Sequence, residues 1–351
     1  MTTEPLLSVR SLHTHFHVNE TVRAVDGVSF DVNAGETVCI VGESGSGKTV
    51  TGESITRLFA SPPGEIPEGS IRFKGREVTE MDDTELRELR GGHISHIFQN
   101  PQGALNPVYT IGWQIMEAIT LHQDVSKEEA REQAISLLDR VGIPEPVERL
   151  RQYPHEFSGG MKQRVIIAIA LACQPDLLIA DEPTTALDVT IQAQIISLLN
   201  DLQEEFGIGI IFITHDLGVV AEIADRVIVM YAGKIMERGD VMDIFKEPAH
   251  PYTRALFDCL PESGSLGGIP GTLPDPTAIP PGCRFAVRCE YDVDECWSGD
   301  QPAFESATGT DHEVSCLHYR TGSDQSVLAS VGSTNTDESA LANGGDHNDA
   351  E

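Results

Sequence analysis

The sequence predicts an α/β protein built on a parallel sheet, and three observations carry that expectation. Residues 177–180 and 208–214 are uninterrupted apolar runs, the pattern of strands covered on both faces. The stretch 188–206 between them has helical character and stops at Gly207, so strand, helix and strand alternate. Upstream, the apolar run ETVCIVG ends in a glycine-rich loop and then a helix.

Taken in chain order, LLSVRSLHTHFHV and TVRAVDGVSFDV predict short strands, followed by a turn at Asn33-Ala34-Gly35 and the strand into Gly42. A helix is expected over 50–58, and a strand pair around the Gly75 turn, its first strand at 71–73. Between 82 and 150 the patterns DTELRELR and SKEEAREQAISLLDRVGI predict a helical insert rather than more sheet. The runs 226–230 and 234–237 flank Tyr231-Ala232-Gly233 and predict a closing hairpin. Beyond His250 the chain turns Pro- and Gly-rich and aperiodic, which predicts a separate module. From 321 to 351 almost nothing apolar remains, the composition of a disordered acidic tail.

The chain of 351 residues carries 55 Asp and Glu against 24 Lys and Arg, a formal charge of −31. Such acidity disfavours a phosphate-backbone partner, so no nucleic acid is expected. Only six lysines occur (48, 74, 127, 162, 234 and 246). Salt screens charge repulsion within about 3 Å at 1 M but only within about 10 Å at 0.1 M, so this surface suits a salt-rich cytosol and predicts a halophilic source. The longest apolar run, 165–172, is under half a membrane span, and MTTEPLLSVR lacks a basic segment leading into an apolar one. A cytosolic chain is therefore expected, in which seven cysteines serve as thiols or metal ligands rather than disulfides.

Gly42-Glu43-Ser44-Gly45-Ser46-Gly47-Lys48-Thr49 fits the phosphate-loop pattern between a strand and a helix. Glycines let backbone N–H groups face phosphate, and the helix N-terminus favours its charge. Lys48 is expected to reach the β- and γ-phosphates and the Thr49 hydroxyl to hold Mg²⁺. The strand ending in Asp181-Glu182 supplies two carboxylates, Asp181 for the Mg²⁺ shell and Glu182 to polarise water. His215 ends another strand at the same sheet edge, within reach of the γ-phosphate and that water. Ser158 caps a helix over 159–171, whose first amides form a second anion site.

With Phe157-Ser158-Gly159-Gly160-Met161-Lys162-Gln163-Arg164 standing just before the Asp181-Glu182 strand, the chain resembles the ATP-binding cassette (ABC) ATPases over residues 6 to 320. The resemblance implies a P-loop NTPase, RecA-like cassette with an antiparallel β subdomain, a helical subdomain and a small Cys-containing C-terminal module. Its expected division is 1–95 for the first part of the RecA-like core with the β subdomain, 96–157 for the helical subdomain, and 158–250 for the signature helix and second part of the core. A C-terminal module over 251–320 and the tail over 321–351 complete it. By the same resemblance Ser158, Gly159 and Gly160 bind ATP held by the phosphate loop of a second ABC subunit, identical or related. Gln99 is the Q-loop glutamine sensing Mg²⁺ and water, Asp188 the D-loop aspartate at the dimer interface, and Phe16 the aromatic that stacks on adenine, with His15 and His17 as neighbouring alternatives. Glu182 and His215 together imply a hydrolysing site.

The stretch 180–194, His250-Pro251-Tyr252-Thr253 and the C-terminal cysteines are similar to the oligopeptide/dipeptide branch of ABC importers. That similarity implies an ATPase at the cytoplasmic face of the membrane, under two permease subunits whose coupling helices meet the helical insert, with solute chosen by an external binding protein. Nickel and sugars are alternative solutes. A soluble ABC ATPase acting on ribosomes or DNA is a second reading, disfavoured by the single cassette and the acidity. A redox-sensing module built on the cysteines is a third.

Cys283, Cys289, Cys296 and Cys316 are separated by five, six and nineteen residues in a weakly apolar segment that a bound ion or cluster would brace. Four thiolates suit Zn²⁺ or an iron–sulfur cluster, and the spacing does not choose between them. The importer branch implies a [4Fe–4S] cluster, although Arg284 and Val287 stand where prolines are expected. Cys39, Cys173 and Cys259 are ordinary small apolar positions, in a strand, in a helix and before the linker.

Overall fold

A computed structural model describes residues 4–99, 101–185, 187–260, 268–308, 311–323 and 328. Its strands in chain order are β1 (Leu7–His17), β2 (Thr21–Val32), β3 (Thr37–Val41), β4 (Gly64–Glu65), β5 (Ser70–Phe73), β6 (Arg76–Glu77), β7 (Ile94–Ile97), β8 (Leu177–Asp181), β9 (Gly209–Thr214), β10 (Arg226–Tyr231), β11 (Lys234–Asp240), β12 (Glu305–Ser306) and β13 (Glu313–Val314). They form two sheets. The smaller is antiparallel, in the order β2-β1-β5-β6 with β4 also on β1. The larger has eight strands in the order β12-β13-β11-β10-β3-β9-β8-β7.

From β10 to β7 all pairings of the larger sheet are parallel. Its side chains alternate between two apolar cores, as strands buried on both faces require. Cys39, Val41, Leu178, Ala180, Ile210, Phe212, Val227 and Val229 face the helical side. Their neighbours Val38, Ile40, Leu177, Ile179, Ile211, Ile213, Ile228 and Met230 face the antiparallel sheet. Truncating a fully buried Phe212 to Ala would cost about 3–5 kcal/mol.

Local signals set the helices. Helix α1 (Lys48–Ile55) starts at the glycine-rich loop, two residues earlier than expected, and ends three residues short of Leu58. Ser126 and Asp82 close capping boxes on helices Lys127–Arg140 and Asp83–Gly92. Helix Val189–Phe206 is capped by Asp188 and stopped by Gly207 at φ 64°. Among the described residues no helix is long and apolar enough to cross a membrane.

Two expectations change. The stretch 82–150 is not purely helical: β7 lies inside it and forms the edge of the large sheet, parallel to β8. Four residues between a helix and a loop are too short a run for periodicity to register. The region beyond His250 is not a separate module either. β13 pairs with β11, while Tyr252, Cys283, Phe285 and Cys296 belong to the main core. Cys173 lies just past its helix, which ends at Leu171. The tail beyond 323 lies outside the described residues, apart from residue 328.

Candidate functional site

The phosphate loop leaves β3 at Gly42 and enters α1 at Gly47. Both glycines have positive φ, 148° and 100°. A Cβ on Gly42 would stand 2.1 Å from the Met230 carbonyl oxygen, and one on Gly47 2.4 Å from that of Ala24. Any other residue would push the loop off its neighbouring strands. Ser44 and Gly45 are exposed, and Gly47 caps α1 without a side-chain hydrogen bond, leaving the first amides of the helix open to an anion. The buried Lys48 ammonium folds over this loop, donating to the carbonyls of Gly42 at 2.7 Å and Glu43 at 2.9 Å. Burial lowers its pKa, against the opposing pull of Glu182, Asp181 and Glu43.

Asp181 ends β8 beside Thr49. Burial pushes its carboxyl pKa up, the Thr49 hydroxyl and Lys48 oppose the shift, and Glu182 adds to it. Its Oδ1 is buried without a hydrogen-bond partner. An orphaned carboxylate oxygen next to a hydroxyl at a phosphate loop is a donor set that fits Mg²⁺.

Glu182 follows in a left-handed conformation, φ 47°, its N–H held by the Ile213 carbonyl at 2.8 Å. Gln99 Nε2 and Thr185 Oγ1 donate to its Oε2, and His215 Nδ1 contacts Oε1, all at 3.0 Å. Burial would raise the pKa of this carboxyl, but the hydrogen bonds from Gln99, His215 and Thr185 outweigh it and lower the pKa below the ordinary glutamate value. Gly42, Glu43, Ser44, Gln99, Glu182 and His215 line one open cleft. Phe16 sits on β1 two residues beyond Thr14, whose hydroxyl meets Ser54 of α1 at 2.8 Å. A register shift between Thr14 and His15 separates the two, and the half-buried Phe16 ring packs edge-on against Phe59 at 5.7 Å.

The signature residues stand elsewhere. Ser158 caps helix Gly159–Leu171 by accepting from the Met161 N–H at 3.3 Å, and Asp188 caps its helix by accepting from Ile191 N–H at 3.0 Å. A Cβ on Gly160 would come within 2.8 Å of Ile191, so the two helix starts form one rim. Ser158, Gly159 and Asp188 are exposed. Neither they nor Gly160 line the cleft at the phosphate loop of their own chain.

Cys283, Cys289, Cys296 and Cys316 line a single small cavity with His250 and His318, and all four are free thiols. Burial raises the pKa of Cys283 and pushes Cys289 and Cys316 up to about 12, with the neighbouring sulfurs adding to each. Four thiolates there would need a cation, which fits the donor chemistry of a metal or cluster. Among the described residues, however, no three His, Cys, Asp or Glu groups stand together in ligating geometry. The buried Arg284 pairs with Asp26 of β2.

Several residues at this site escaped the sequence. Thr185 holds Glu182, the Tyr252 hydroxyl accepts the Glu43 N–H at 2.8 Å, and Leu256 and Leu273 line the cleft. Tyr252 and the two leucines come from more than 200 residues beyond the loop, where no spacing rule reaches.

The chain is similar to several known proteins. Residues 25–185 match the ABC transporter family, and residues 236–296 match the oligopeptide/dipeptide transporter C-terminal region. The oligopeptide transport ATP-binding protein AppD of Bacillus subtilis is 49% identical over 90% of this chain and 97% of its own length. The dipeptide transport ATP-binding protein DppD of the same organism is 53% identical over 82% and 87%. The dimeric post-hydrolysis structure of the ATP-binding cassette MJ0796, bound to ADP and Pi, superposes with a TM-score of 0.60 at 29% identity, over 67% of this chain and 98% of that one. CbiO1 of Clostridium perfringens, part of the transporter complex cbiONQ, gives a TM-score of 0.61 at 26% identity over 75% and 98%. With the phosphate loop, the Glu182 cage and the signature rim in place, the chain belongs to the ATP-hydrolysing, ATP-binding subunits of ABC transporters, in the branch that carries the oligopeptide/dipeptide C-terminal region.

Proposed function

We propose that this chain powers an importer of di- and oligopeptides from the cytoplasmic face of the membrane, beneath two permease subunits and paired with a second cassette, identical or related. The observation that carries the catalytic half is the Glu182 carboxyl group caged by Gln99, Thr185 and His215 within one cleft with the phosphate loop. The solute class rests on the names of the relatives, AppD and DppD among them.

In this reading the loop amides of Gly42, Ser44, Gly45 and Gly47, with Lys48, bind the β- and γ-phosphates, and Phe16 stacks on adenine. Thr49, Asp181 and Gln99 would hold Mg²⁺, which supplies charge compensation for the phosphates. Glu182 orients the attacking water and takes its proton, while His215 fixes Glu182 and faces the γ-phosphate. Ser158, Gly159, Gly160 and Asp188 of the opposing cassette complete the site, so that closure over ATP reshapes the permeases and hydrolysis resets them. The helical segment 96–157 would meet the permeases, and an external binding protein would choose the solute. Co-expression with candidate permease subunits and a second cassette, followed by reconstitution, should give ATPase activity stimulated by peptide-loaded binding protein. Stimulation by nickel or a sugar instead would overturn the peptide assignment.

The four thiols are inferred to hold a [4Fe–4S] cluster as a structural brace, with Zn²⁺ as the alternative. Their shared cavity supports this. The charge of −31 supports a halophilic source. Its melting temperature should rise steeply with KCl, and a flat response up to molar salt would remove that inference.

A further inference from the structure

Arg288 lies deep in the C-terminal segment, yet its guanidinium ends at the phosphate loop. Its side chain is only 2% exposed, and it grips both carboxylate oxygens of Glu43, at 2.6 and 3.1 Å. The same guanidinium donates to the carbonyls of Pro270 and Ile269, each at 2.8 Å, and to the Tyr231 hydroxyl at 3.2 Å, with its charge 5.6 Å from the Tyr231 ring centre. Tyr252 meanwhile fixes the Glu43 backbone N–H. A short strap is thus tied down beside the nucleotide cleft: Leu273 lines the cleft and the Pro276 carbonyl accepts from Arg23 N–H at 3.1 Å.

The chemistry of Glu43 gives this arrangement a purpose. A carboxylate inside a loop whose amides must face a polyphosphate repels the ligand unless it is neutralised and turned away. A bidentate guanidinium does both, because its planar fork fixes the direction of the carboxylate as well as its charge. The remaining donors of Arg288 are spent on Ile269, Pro270 and Tyr231, so the fork has little freedom to release Glu43.

We propose that Arg288 is a positioning residue of the nucleotide site: it neutralises Glu43 and holds it aside, so that the C-terminal segment sets ATP affinity. The proposal rests on the phosphate loop being the nucleotide site, which Lys48→Ala checks separately.

The test is a double-mutant cycle on the full chain, read by equilibrium binding of a fluorescent ATP analogue and by steady-state ATPase. Arg288→Gln should weaken binding roughly tenfold, a size common for coupled charge pairs, and raise KM while kcat falls less than twofold. Glu43→Gln placed in the Arg288→Gln chain should restore most of the affinity, since the unneutralised carboxylate is then gone. Arg288→Lys should rescue in part, having the charge without the fork. The defect of Arg288→Gln should also shrink as salt rises. A structural loss alone would appear as a lowered melting temperature that Glu43→Gln does not repair, and that outcome overturns the proposal, as does unchanged binding in Arg288→Gln. If Lys48→Ala also leaves nucleotide binding intact, the site assignment falls instead.

Discussion

At the phosphate-loop rim three charged side chains are held within the chain, Glu182 by Gln99, Thr185 and His215, Glu43 by Arg288, and Lys48 by two loop carbonyls, while Asp181 Oδ1 is left without a partner. At the signature rim, Ser158 and Asp188 do no more than cap their own helices, and both stand exposed. One rim is organised before a ligand arrives. The other presents helix-start amides to whatever faces it. The contrast teaches that the chain carries two unlike halves of a site, and that each half should fail differently when broken.

The largest effects belong to the organised rim. Lys48→Ala should abolish ATPase activity, because no other ammonium stands in the loop to compensate phosphate charge. Glu182→Gln should lower turnover by roughly 10²–10⁴ while nucleotide binding persists, since it removes the base but keeps the size of the side chain. Paired measurements of turnover and nucleotide binding check both, and near-normal turnover by Glu182→Gln would strip that residue of its role.

The exposed rim should break in trans. Ser158→Arg is expected to block hydrolysis without weakening nucleotide binding to the same chain's phosphate loop. Mixing it with Lys48→Ala should regain activity that neither has alone, because the intact loop of one then meets the intact signature of the other. Mixtures that stay inactive at every ratio would argue against a composite site.

Legibility in the sequence follows the same division. The parallel strands announced themselves because burial on both faces leaves unbroken apolar runs, as in Ile210-Ile211-Phe212-Ile213. The phosphate loop and the caps at Ser158 and Asp188 were readable because their function is tied to local backbone geometry, and local geometry demands particular residues at fixed spacing. β7 was not, being four residues long. The docking of the C-terminal segment was hidden for a different reason. Arg284–Asp26 and Arg288–Glu43 join positions more than 240 residues apart, and an arginine in a loop says nothing about which carboxylate it will meet. The thiol segment therefore looked like an independent module, whereas its arginines bind it to the nucleotide half.

The cysteines offer the next smaller effect. On the proposed cluster reading, anaerobically purified protein should be brown, with about four iron and four sulfide per chain, and Cys296→Ser should lose both. Colourless protein with stoichiometric zinc would leave only a structural role for the thiols.

The smallest expected effect separates the two rims by acid. His96 lies on β7, three residues before Gln99, with its Nε2 2.8 Å from the Thr56 hydroxyl and its ring stacked on Phe98. Burial first, and Arg90 second, lower its pKa to about 4 from an ordinary 6.5. Between those values the unfolded chain binds a proton that the folded chain refuses. Stability from this group is therefore unaffected above pH 6.5 and is lost progressively as the pH falls towards 4, by about 1–3 kcal/mol. A drop of a few degrees in melting temperature between pH 7 and pH 5 is expected on that account. His96→Gln can keep a hydrogen bond to Thr56 without taking up a proton, so it should make the acid limb shallower, leaving the part due to the buried His250, whose pKa burial lowers to about 3. Because β7 leads into Gln99, the fluorescent-nucleotide site should loosen over the same pH range in the parent chain and less so in His96→Gln. An acid limb identical in both chains would assign the loss to another buried group and leave the phosphate-loop rim no more acid-sensitive than the signature rim.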